Sequence, residues 1–324
     1  PHTTHPPTHP PTRACRAVDR RHTRPRCVHV HRGVRCWPSP PSRPSQQSTI
    51  PPHRTSLRLP ATTPRSPPAV AVVGGEVVNK RKPAGHSSEH FADAVIDFLK
   101  RHKSTGGDQP FFAYVPFTSP HDPRDPPRQW LEKLMDLPRP RLPVNLRVQH
   151  GLNLGKATMT VRDENLLGWP RDEALLQDQL EEYRALVAHQ DAQVGRVLRE
   201  LARAGFADDT LVVFTADHGL ALGSHGLLGK QSLYEHSMRS PCVIAGPGVA
   251  AGASRDGLAY LLDLTATCLE AAGLAEVDGI DGRSLWPMLR GAGAAGANGR
   301  EELLLIYAKT QRAMRFGEVT AMRA

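Results

Sequence analysis

A long helical run followed at once by a continuous apolar run is the feature that most restricts how this chain folds. Apolar residues recur at helical spacing from about Leu175 to Ala204, and Gly205 marks the end of that run. Thr210 to Ala216 then reads as one largely apolar segment, the pattern of a strand covered on both faces of a parallel sheet. Such pairs, repeated along the chain, predict an α/β sandwich with a central, mostly parallel sheet covered by helices. The predicted apolar stripe of the helix consists of Leu176, Leu180, Tyr183, Val187, Val194, Leu198 and Leu201.

The remaining organised region continues this alternation. Ser87 or Ser88 is expected to cap a helix, and Pro110 to Phe117 to form a buried strand. The stretch from about Asp125 to Asp172 is rich in proline and charge, so we expect it either to shape a substrate entrance or to pack as an irregular excursion. Further predicted elements are strands at 242–246 and 303–307, with a helix opened by Asp263 and ended by Gly273 between them.

Residues 1–70 differ in composition from the rest of the chain. They contain 16 of the chain's 30 prolines, 12 arginines, no lysine and a single acid, Asp19. The whole chain carries a net charge of +9, so its basic character belongs to this stretch. With almost no periodic apolar residues it cannot bury enough surface to offset chain entropy, and we predict a disordered tail over 1–75. Two interpretations stay open: a basic arm drawn to polyanions, or sequence translated from a wrong reading frame or exon.

Membrane and redox signals in the sequence are weak. No apolar stretch of about 18 residues or more is present, so no membrane span is predicted. The first residues lack the apolar core of a signal peptide, and the compartment stays open. Cys15, Cys27 and Cys36 follow no zinc-binding spacing. Cys242 and Cys268 fall in apolar or helical surroundings typical of small buried side chains.

Polar side chains follow two predicted strands at their carboxyl ends, where open α/β sheets bind ligands. His121 and Asp122 come after the strand at Pro110 to Phe117, and Asp217 and His218 come directly after the next apolar run. A carboxylate beside an imidazole suits a divalent cation. Two ligands do not complete a site, since calcium takes about six to eight oxygens. The alternative is an aspartate that caps the next segment beside an exposed histidine.

Lys230 lies 13 positions after Asp217 in a segment punctuated by glycines. That segment could fold back beside Asp217, so that the ammonium group binds an anionic ester oxygen; a solvated loop lysine is the alternative. For His121, a hydrogen-bonded structural histidine before a turn fits the sequence as well as a role in binding or proton transfer.

Taken together, these segments resemble the sulfatase family within the alkaline-phosphatase superfamily. The run PFFAYVPFTSPHDPR, Pro110 to Arg124, looks like the family's strand that delivers a substrate-contacting histidine. The run TLVVFTADHGLALGSHGLLGK, Thr210 to Lys230, continues to the turn Gly246-Pro247-Gly248 and is similar to the family's second metal segment. The likeness covers residues 80–315, with both segments in the family's order.

The resemblance implies a single divalent metal, usually Ca²⁺, with Asp217 and His218 among its ligands. It also implies that His121 and Lys230 contact the sulfate group, and that the substrate is a sulfated small molecule or glycan. Cations and donors are what the oxygens of a sulfate ester need as they gain charge during attack at sulfur. His225 lies in the same segment and is expected to shape the loop.

Three segments expected from the resemblance are missing from the sequence. The family's nucleophile is a formylglycine made from a cysteine or serine in a Cys-x-Pro-x-Arg motif, and the nearest approach, Cys36-Trp37-Pro38-Ser39-Pro40, has proline where arginine stands. The paired aspartates after the first strand and the Gly-Lys-Trp-His segment are absent too. Without them the metal has too few oxygens and no covalent step is available, so we expect a fragment that is inactive by itself.

These observations predict three regions and one leading function. The regions are a tail over 1–75, a partial sulfatase-like catalytic domain over 76–290, and the start of a C-terminal subdomain over 291–324. Hydrolysis of sulfate esters is the leading hypothesis. A phosphonate or phosphate-ester hydrolase of the same superfamily is one alternative, and a non-catalytic polyanion-binding protein is another. No nucleic-acid partner is expected for the folded part, since the basic charge lies in the tail.

Overall fold

The computed structural model describes most of the chain from residue 85 onward. The predicted tail over 1–75 therefore lies almost entirely outside the described residues, and the division at residues 76 and 291 stays a prediction. The described residues are 28–29, 71–73, 76–78, 85–147, 162–274, 278–290, 299–309 and 311–323.

Helices and short strands alternate through the described part of the chain. No helix in that part has the length and apolar character needed to cross a membrane. The helices are α1 (Ser87–Ser104), α2 (Arg128–Leu134), α3 (Glu173–Ala204), α4 (Glu235–Met238), α5 (Asp263–Ala271) and α6 (Trp286–Arg290). The strands are β1 (Val28–His29), β2 (Ala71–Val73), β3 (Glu76–Val78), β4 (Val212–Thr215), β5 (Cys242–Ala245), β6 (Glu302–Tyr307), β7 (Gln311–Phe316) and β8 (Val319–Arg323). Short 3₁₀ turns occupy Arg162–Leu166, Ala207–Asp209 and Ser224–Gly226.

The longest helix, α3, confirms the helix predicted from Leu175 to Ala204 and begins slightly earlier, at Glu173. The side chain of Asp172 caps its first turn by accepting a hydrogen bond from the Leu175 N–H at 2.9 Å. Gly205 ends it with a φ of 86°, a left-handed conformation that glycine adopts without strain. The start and stop signals in the sequence were therefore sufficient to place this helix.

Helix α1 packs along α3, and its cap differs from the prediction. The N-cap residue is His86 rather than Ser87 or Ser88: its Nδ1 accepts a hydrogen bond from the Ser88 N–H at 3.2 Å. Glu89 returns the contact by accepting the His86 N–H at 3.3 Å, and also lies 3.2 Å from Nε2 of His189 on α3. The cap is a local capping box between His86 and Glu89, and both residues also contact His189 of α3.

The predicted apolar stripe of α3 is confirmed in part. Leu176, Leu180 and Leu201 are buried, but Val187 is 40% exposed. The fully buried imidazole of His189 lies on the inner face of the helix, where its ring meets the His86 ring edge-on at 4.6 Å. Polar residues with partners on α1 therefore share the buried face with leucines.

The stretch Pro110 to Phe117 forms no strand among the described residues, so the predicted buried strand is wrong. Phe112 and Tyr114 are about four-fifths exposed, at 79% and 80%. Phe111 instead packs its ring edge-on against Phe98 of α1, with centroids 5.5 Å apart. Aromatic contacts with a helix, rather than backbone pairing with a strand, hold this segment in place.

Strands β4 and β5 confirm the strands predicted within Thr210 to Ala216 and at 242–246. They pair antiparallel, with Val213 opposite Ile244, and each strand pair that the structure describes is antiparallel, so the mostly parallel arrangement predicted for the sheet is not found among the described strands. Phe214 is 41% exposed, so β4 is not covered on both faces as predicted. Its other face packs on a core that contains Ile244, Leu285, Trp286, Met288 and Leu289.

Helix α5 confirms the helix predicted between the later strands, but Asp263 is not its cap. The Asp263 carboxylate accepts the N–H groups of Tyr260 and Arg283, each at 2.8 Å, and pairs with the Arg300 guanidinium at 2.6 Å. Burial by itself raises the pKa of Asp263, but these donors, led by Arg300, outweigh burial and lower it. The aspartate is the first residue of the helix, as predicted, and its carboxylate joins three segments instead of capping the first turn.

A three-stranded antiparallel sheet, in the order β6-β7-β8, is the last element of the described chain. Its first strand confirms the strand predicted at 303–307. The fully buried Gln311 accepts a hydrogen bond through Oε1 from the Leu233 N–H at 3.1 Å. This small sheet is therefore attached to the loop region that follows β4.

Candidate functional site

The candidate site centres on the segment that follows β4, from Asp217 to Lys230. Its first turn is fixed at Gly219, whose N–H donates to the Ser237 carbonyl at 2.8 Å. A Cβ atom at this position would lie 2.0 Å from the carbonyl oxygen of His236. Close approach of two backbone segments therefore requires glycine here, and it sets the direction in which the chain leaves Asp217.

The segment then folds back on itself, as predicted from its glycines. The Ala221 N–H donates to the Gly229 carbonyl at 2.8 Å, and the Gly223 N–H donates to the Leu227 carbonyl at 2.7 Å. His225 sits at the tip with a φ of 56°, so it shapes the loop in the way expected for it. The returning limb carries Lys230 back toward the beginning of the segment.

Two of the four predicted site residues meet directly. Nζ of Lys230 lies 3.0 Å from Nε2 of His121, although 109 positions separate the two residues in sequence. The turn before His121 is anchored by Ser119, whose hydroxyl shares a buried 3.0 Å hydrogen bond with the hydroxyl of Ser88 on α1. The Lys230 side chain is mostly buried, with 19% exposed.

The hydrogen-bond partners of the His121 ring indicate which of its two nitrogens donates. Nδ1 lies 3.1 Å from the backbone carbonyl of Asp122, which accepts only, so Nδ1 carries the proton. Nε2 then keeps a lone pair, and the Lys230 ammonium donates to it.

Asp163 is a third member of this cluster, and the sequence reasoning missed it. Its side chain is 2% exposed, and its Oδ2 lies 3.5 Å from Lys230 Nζ and 3.0 Å from Gln231 Nε2. Gln231 in turn accepts the backbone N–H of Lys230 at 3.1 Å. Two acids in a proline-rich, irregular stretch look like solvated loop charges, so the sequence carries no signal that marks Asp163.

The neighbouring acid, Glu164, fixes the backbone of the returning limb. Its carboxylate accepts the N–H groups of Leu228 at 3.1 Å and Gly229 at 2.9 Å. It also pairs with Arg171, whose side chain and that of Glu164 are each 3% exposed. Arg171 donates to the Gly226 carbonyl at 3.0 Å, so one buried ion pair holds both sides of the loop. The irregular excursion predicted to shape the entrance therefore supports the lysine itself.

Asp217 and His218, the predicted metal pair, have donor atoms suited to a cation. The Gly219 carbonyl accepts from His218 Nδ1 at 2.9 Å, which leaves the lone pair on Nε2, the usual state of a metal-binding imidazole. Nε2 lies 3.3 Å from Asp217 Oδ2. Two neighbouring donors around a calcium ion at roughly 2.4 Å would be about 3.4 Å apart. Within the described part of the chain no cluster of three or more metal-binding side chains occurs, so the pair fits in type and spacing but not in number.

A buried imidazole lies behind the Asp217 turn. Burial, and after it the nearby His225, lowers the pKa of His236 to about 4. Its Nε2 is 3.2 Å from the Ser232 hydroxyl, and its backbone carbonyl is the group that forces glycine at position 219. His236 is thus a neutral packing residue at neutral pH, and it supports the turn from which the metal pair projects.

A lysine that faces a histidine, near an Asp-His pair at a strand end, is the arrangement that the resemblance to the sulfatases of the alkaline-phosphatase superfamily predicts. The sequence model of the family described as Sulfatase matches residues 40–274, and the chain belongs to this family. The match begins within the stretch predicted to be a tail.

Two relatives illustrate the similarity. The multifunctional alkaline phosphatase superfamily protein PehA of Trinickia caryophylli is 33% identical over 216 residues, which cover 62% of this chain and 41% of the relative. The arylsulfatase of Clostridium perfringens is 30% identical over 206 residues, with the same shares of 62% and 41%. The chain therefore spans about two fifths of the length of these relatives.

Solved structures confirm the fold. A protein crystallised with its substrate D-glucosamine-2-N,6-O-disulfate superposes with a TM-score of 0.59 at 21% identity, covering 77% of this chain and 64% of that one. The phosphonate monoester hydrolase of Silicibacter pomeroyi superposes with a TM-score of 0.58 at 23% identity, covering 73% and 53%. The predicted α/β, alkaline-phosphatase-like class is thus confirmed for an incomplete domain.

Proposed function

We propose that this chain supplies the ester-binding part of a sulfuric ester hydrolase site, in which His121 and Lys230 contact the sulfate group. The contact of 3.0 Å between Lys230 Nζ and His121 Nε2 carries the proposal. Two distant segments are folded toward each other to make it, and the lysine is mostly buried while doing so. A lysine that served solubility alone would extend into water.

The chemistry depends on where negative charge develops. A sulfate monoester carries one negative charge, and attack at sulfur moves charge onto the surrounding and leaving oxygens. Lys230 supplies a fixed cation in a largely dry position, where a charge-assisted hydrogen bond is stronger than in bulk water. His121 accepts from that ammonium through Nε2 and holds it in place, so Lys230 is the residue that donates to the ester and His121 lies beside it.

Asp217 and His218 are the proposed ligands of a divalent cation, with calcium favoured by the carboxylate. Such a cation supplies charge neutralisation for the ester oxygens when bound. His218 Nε2 and Asp217 Oδ2 are the atoms that would hold it, together with oxygen donors from outside this pair. The formylglycine motif and the paired aspartates are absent from the sequence, so we propose that the chain binds sulfate esters without hydrolysing them.

A sulfated glycan is the proposed substrate class. The support is the structural neighbour that holds a disulfated glucosamine as its substrate. A phosphonate or phosphate ester is the second candidate, and the likeness to a phosphonate monoester hydrolase favours it at the level of fold. Both candidates place a tetrahedral anionic group against Lys230.

Calorimetric titration of the full chain with phenyl sulfate tests the proposal. We expect saturable binding that Lys230→Met weakens about tenfold or more, because a hydrogen bond to a charged group contributes about 1.5–3 kcal/mol. Lys133→Met is the control, since the Lys133 ammonium lies 4.2 Å from the Trp130 ring on α2, away from His121. Absent binding, or equal loss in both variants, would contradict the proposal. Release of phenol faster than in buffer would show that the chain is catalytically competent after all.

A further inference from the structure

An exposed tryptophan lies beside the loop that carries Lys230. Trp169 is 53% exposed, and it contacts the tip of the loop, because a Cβ atom built on Gly226 would lie 3.0 Å from Cη2 of its ring. We propose that Trp169 is a sugar-stacking platform, which binds a second sugar ring of the glycan whose sulfate group binds at Lys230. The inference rests on the proposed function and adds a second subsite to it.

One face of the Trp169 ring is covered by Arg171. The guanidinium carbon of Arg171 lies 4.1 Å from the ring centroid, a cation–π contact. The Arg171 side chain is 3% exposed and cannot easily move away, because it pairs with Glu164 and donates to the Gly226 carbonyl at 3.0 Å. The exposed part of the indole is therefore the opposite face of the ring, a flat apolar surface with a fixed support behind it.

The same ion pair fixes the platform relative to Lys230. Its carboxylate, from Glu164, also accepts the N–H of Gly229 at 2.9 Å, directly before Lys230 in the chain. Gly226, on which the Trp169 ring packs, precedes Lys230 by four residues. Their Cα atoms are therefore at most about 14 Å apart. A glycan of a few sugar units can span this distance, with its sulfate at Lys230 and another ring on Trp169.

The surroundings of the ring suit a sugar. The C–H groups on one face of a pyranose stack on the electron-rich face of an aromatic ring, while the hydroxyl groups at the rim need polar partners. Such partners lie close by, since the Leu146 carbonyl oxygen is 3.3 Å from the same Cβ position on Gly226. The next residue, Arg147, is an exposed cation that donates to Glu173 at 2.8 Å. A protein partner would need about 800 Å² on each side, far more than one ring among charged side chains offers.

The test compares two probes that carry one sulfate each, N-acetylglucosamine 6-sulfate and chitotriose with a single 6-O-sulfate. Because their charges are equal, charge-driven binding elsewhere on the chain contributes equally to both. In calorimetric titration the full chain should bind the trisaccharide about fivefold more tightly than the monosaccharide. Trp169→Leu should abolish this difference, and Trp169→Phe should keep part of it. Phe316→Leu, at an aromatic residue 48% exposed on β7, is the control and should leave the ratio unchanged.

A second readout needs no variant. In the wild-type chain, magnetisation from saturated aromatic protons should transfer to C–H protons of a trisaccharide ring other than the sulfated one. Absence of this transfer, or equal wild-type affinities for the two probes, would overturn the inference even if Trp169→Leu did not fold. A ratio that Trp169→Leu leaves unchanged would overturn it as well.

Lys230→Met separates this inference from the proposed function. The variant should weaken both probes by the same factor and keep the ratio between them. If it weakened both probes while the wild-type ratio was one, the second subsite would be wrong and the proposed function would stand. If the wild-type chain bound neither probe, both would be overturned.

Discussion

The two ends of the segment from Asp217 to Lys230 differ in how the fold supports them. At the lysine end, the ammonium is mostly buried and lies between His121 and the carboxylate of Asp163. At the other end, the Asp217 side chain is 84% exposed and touches its neighbour His218. The comparison teaches that one sequence segment can contain a buried lysine held by side chains from elsewhere in the chain and, a few residues away, an exposed Asp-His pair supported mainly by its own neighbours.

The means of support differ as well. Side chains from a separate stretch hold the lysine end, because the buried pair Glu164–Arg171 anchors the returning limb on both sides. The aspartate end is held by its backbone, through the close approach of Gly219 to His236. Substitutions that remove these supports should therefore lower the free energy of unfolding by different amounts at the two ends.

The largest effect is expected at the lysine end, from Glu164→Ala. The variant removes the acceptor of two backbone N–H groups and leaves the Arg171 guanidinium buried without a carboxylate. Breaking a buried pair in this way costs about 3–5 kcal/mol. Urea unfolding of the chain, followed by circular dichroism, should show this loss as a lower midpoint.

The matched control for that prediction is a well-formed but exposed ion pair. Arg128 and Glu132 lie 2.7 Å apart on α2, with side chains 90% and 54% exposed. Glu132→Ala should change the free energy of unfolding by no more than about 0.5 kcal/mol. If Glu164→Ala cost no more than Glu132→Ala, the lysine end would not be the supported end, and the comparison would fail.

A change of intermediate size in the free energy of unfolding is expected from Gly219→Ala, which tests the backbone of the aspartate end. The new methyl group would lie 2.0 Å from the His236 carbonyl oxygen, so one of the two backbone segments has to move. We expect a loss of about 1–3 kcal/mol in the free energy of unfolding, measured in the same urea experiment. Gly168→Ala is the control, because no atom lies within 4 Å of its Cβ position. If Gly219→Ala left the free energy of unfolding unchanged, the turn after β4 would have to move easily enough to accommodate the methyl group.

The sequence was sufficient to predict features that depend only on residues close together in the chain. Asp172 and Gly205 mark the ends of α3 with side-chain and backbone signals that need no tertiary partner. The glycines between Ala221 and Gly229 likewise indicated the return of the loop. The resemblance of two segments to a family was enough to place His121 and Lys230 in one site.

The sequence was insufficient to predict local structure where a contact with a residue distant in the chain determines it. Pro110 to Phe117 has a strand-like composition, but its rings find α1 rather than a neighbouring strand. Asp263 looks like a helix cap, yet Arg300 arrives from beyond the helix and recruits its carboxylate. Asp163 is the strongest case: its role comes from burial and from a lysine 67 positions away, and neither is visible in a charged loop sequence.

The smallest effect is expected from Asp217→Asn. An exposed carboxylate whose described contacts are to its own neighbour contributes little to folding, so the free energy of unfolding should change by no more than about 0.5 kcal/mol. Asp208→Asn, at another exposed aspartate, is the control. The same variants should be measured with millimolar Ca²⁺ and with chelator, where a donor pair alone should give almost no calcium-dependent stabilisation, because calcium needs about six to eight oxygens. A clear calcium-dependent stabilisation lost in Asp217→Asn would show that the chain completes the coordination shell itself. The two ends of the segment would then be equally assembled, and the proposed absence of turnover would have to rest on the missing nucleophile alone.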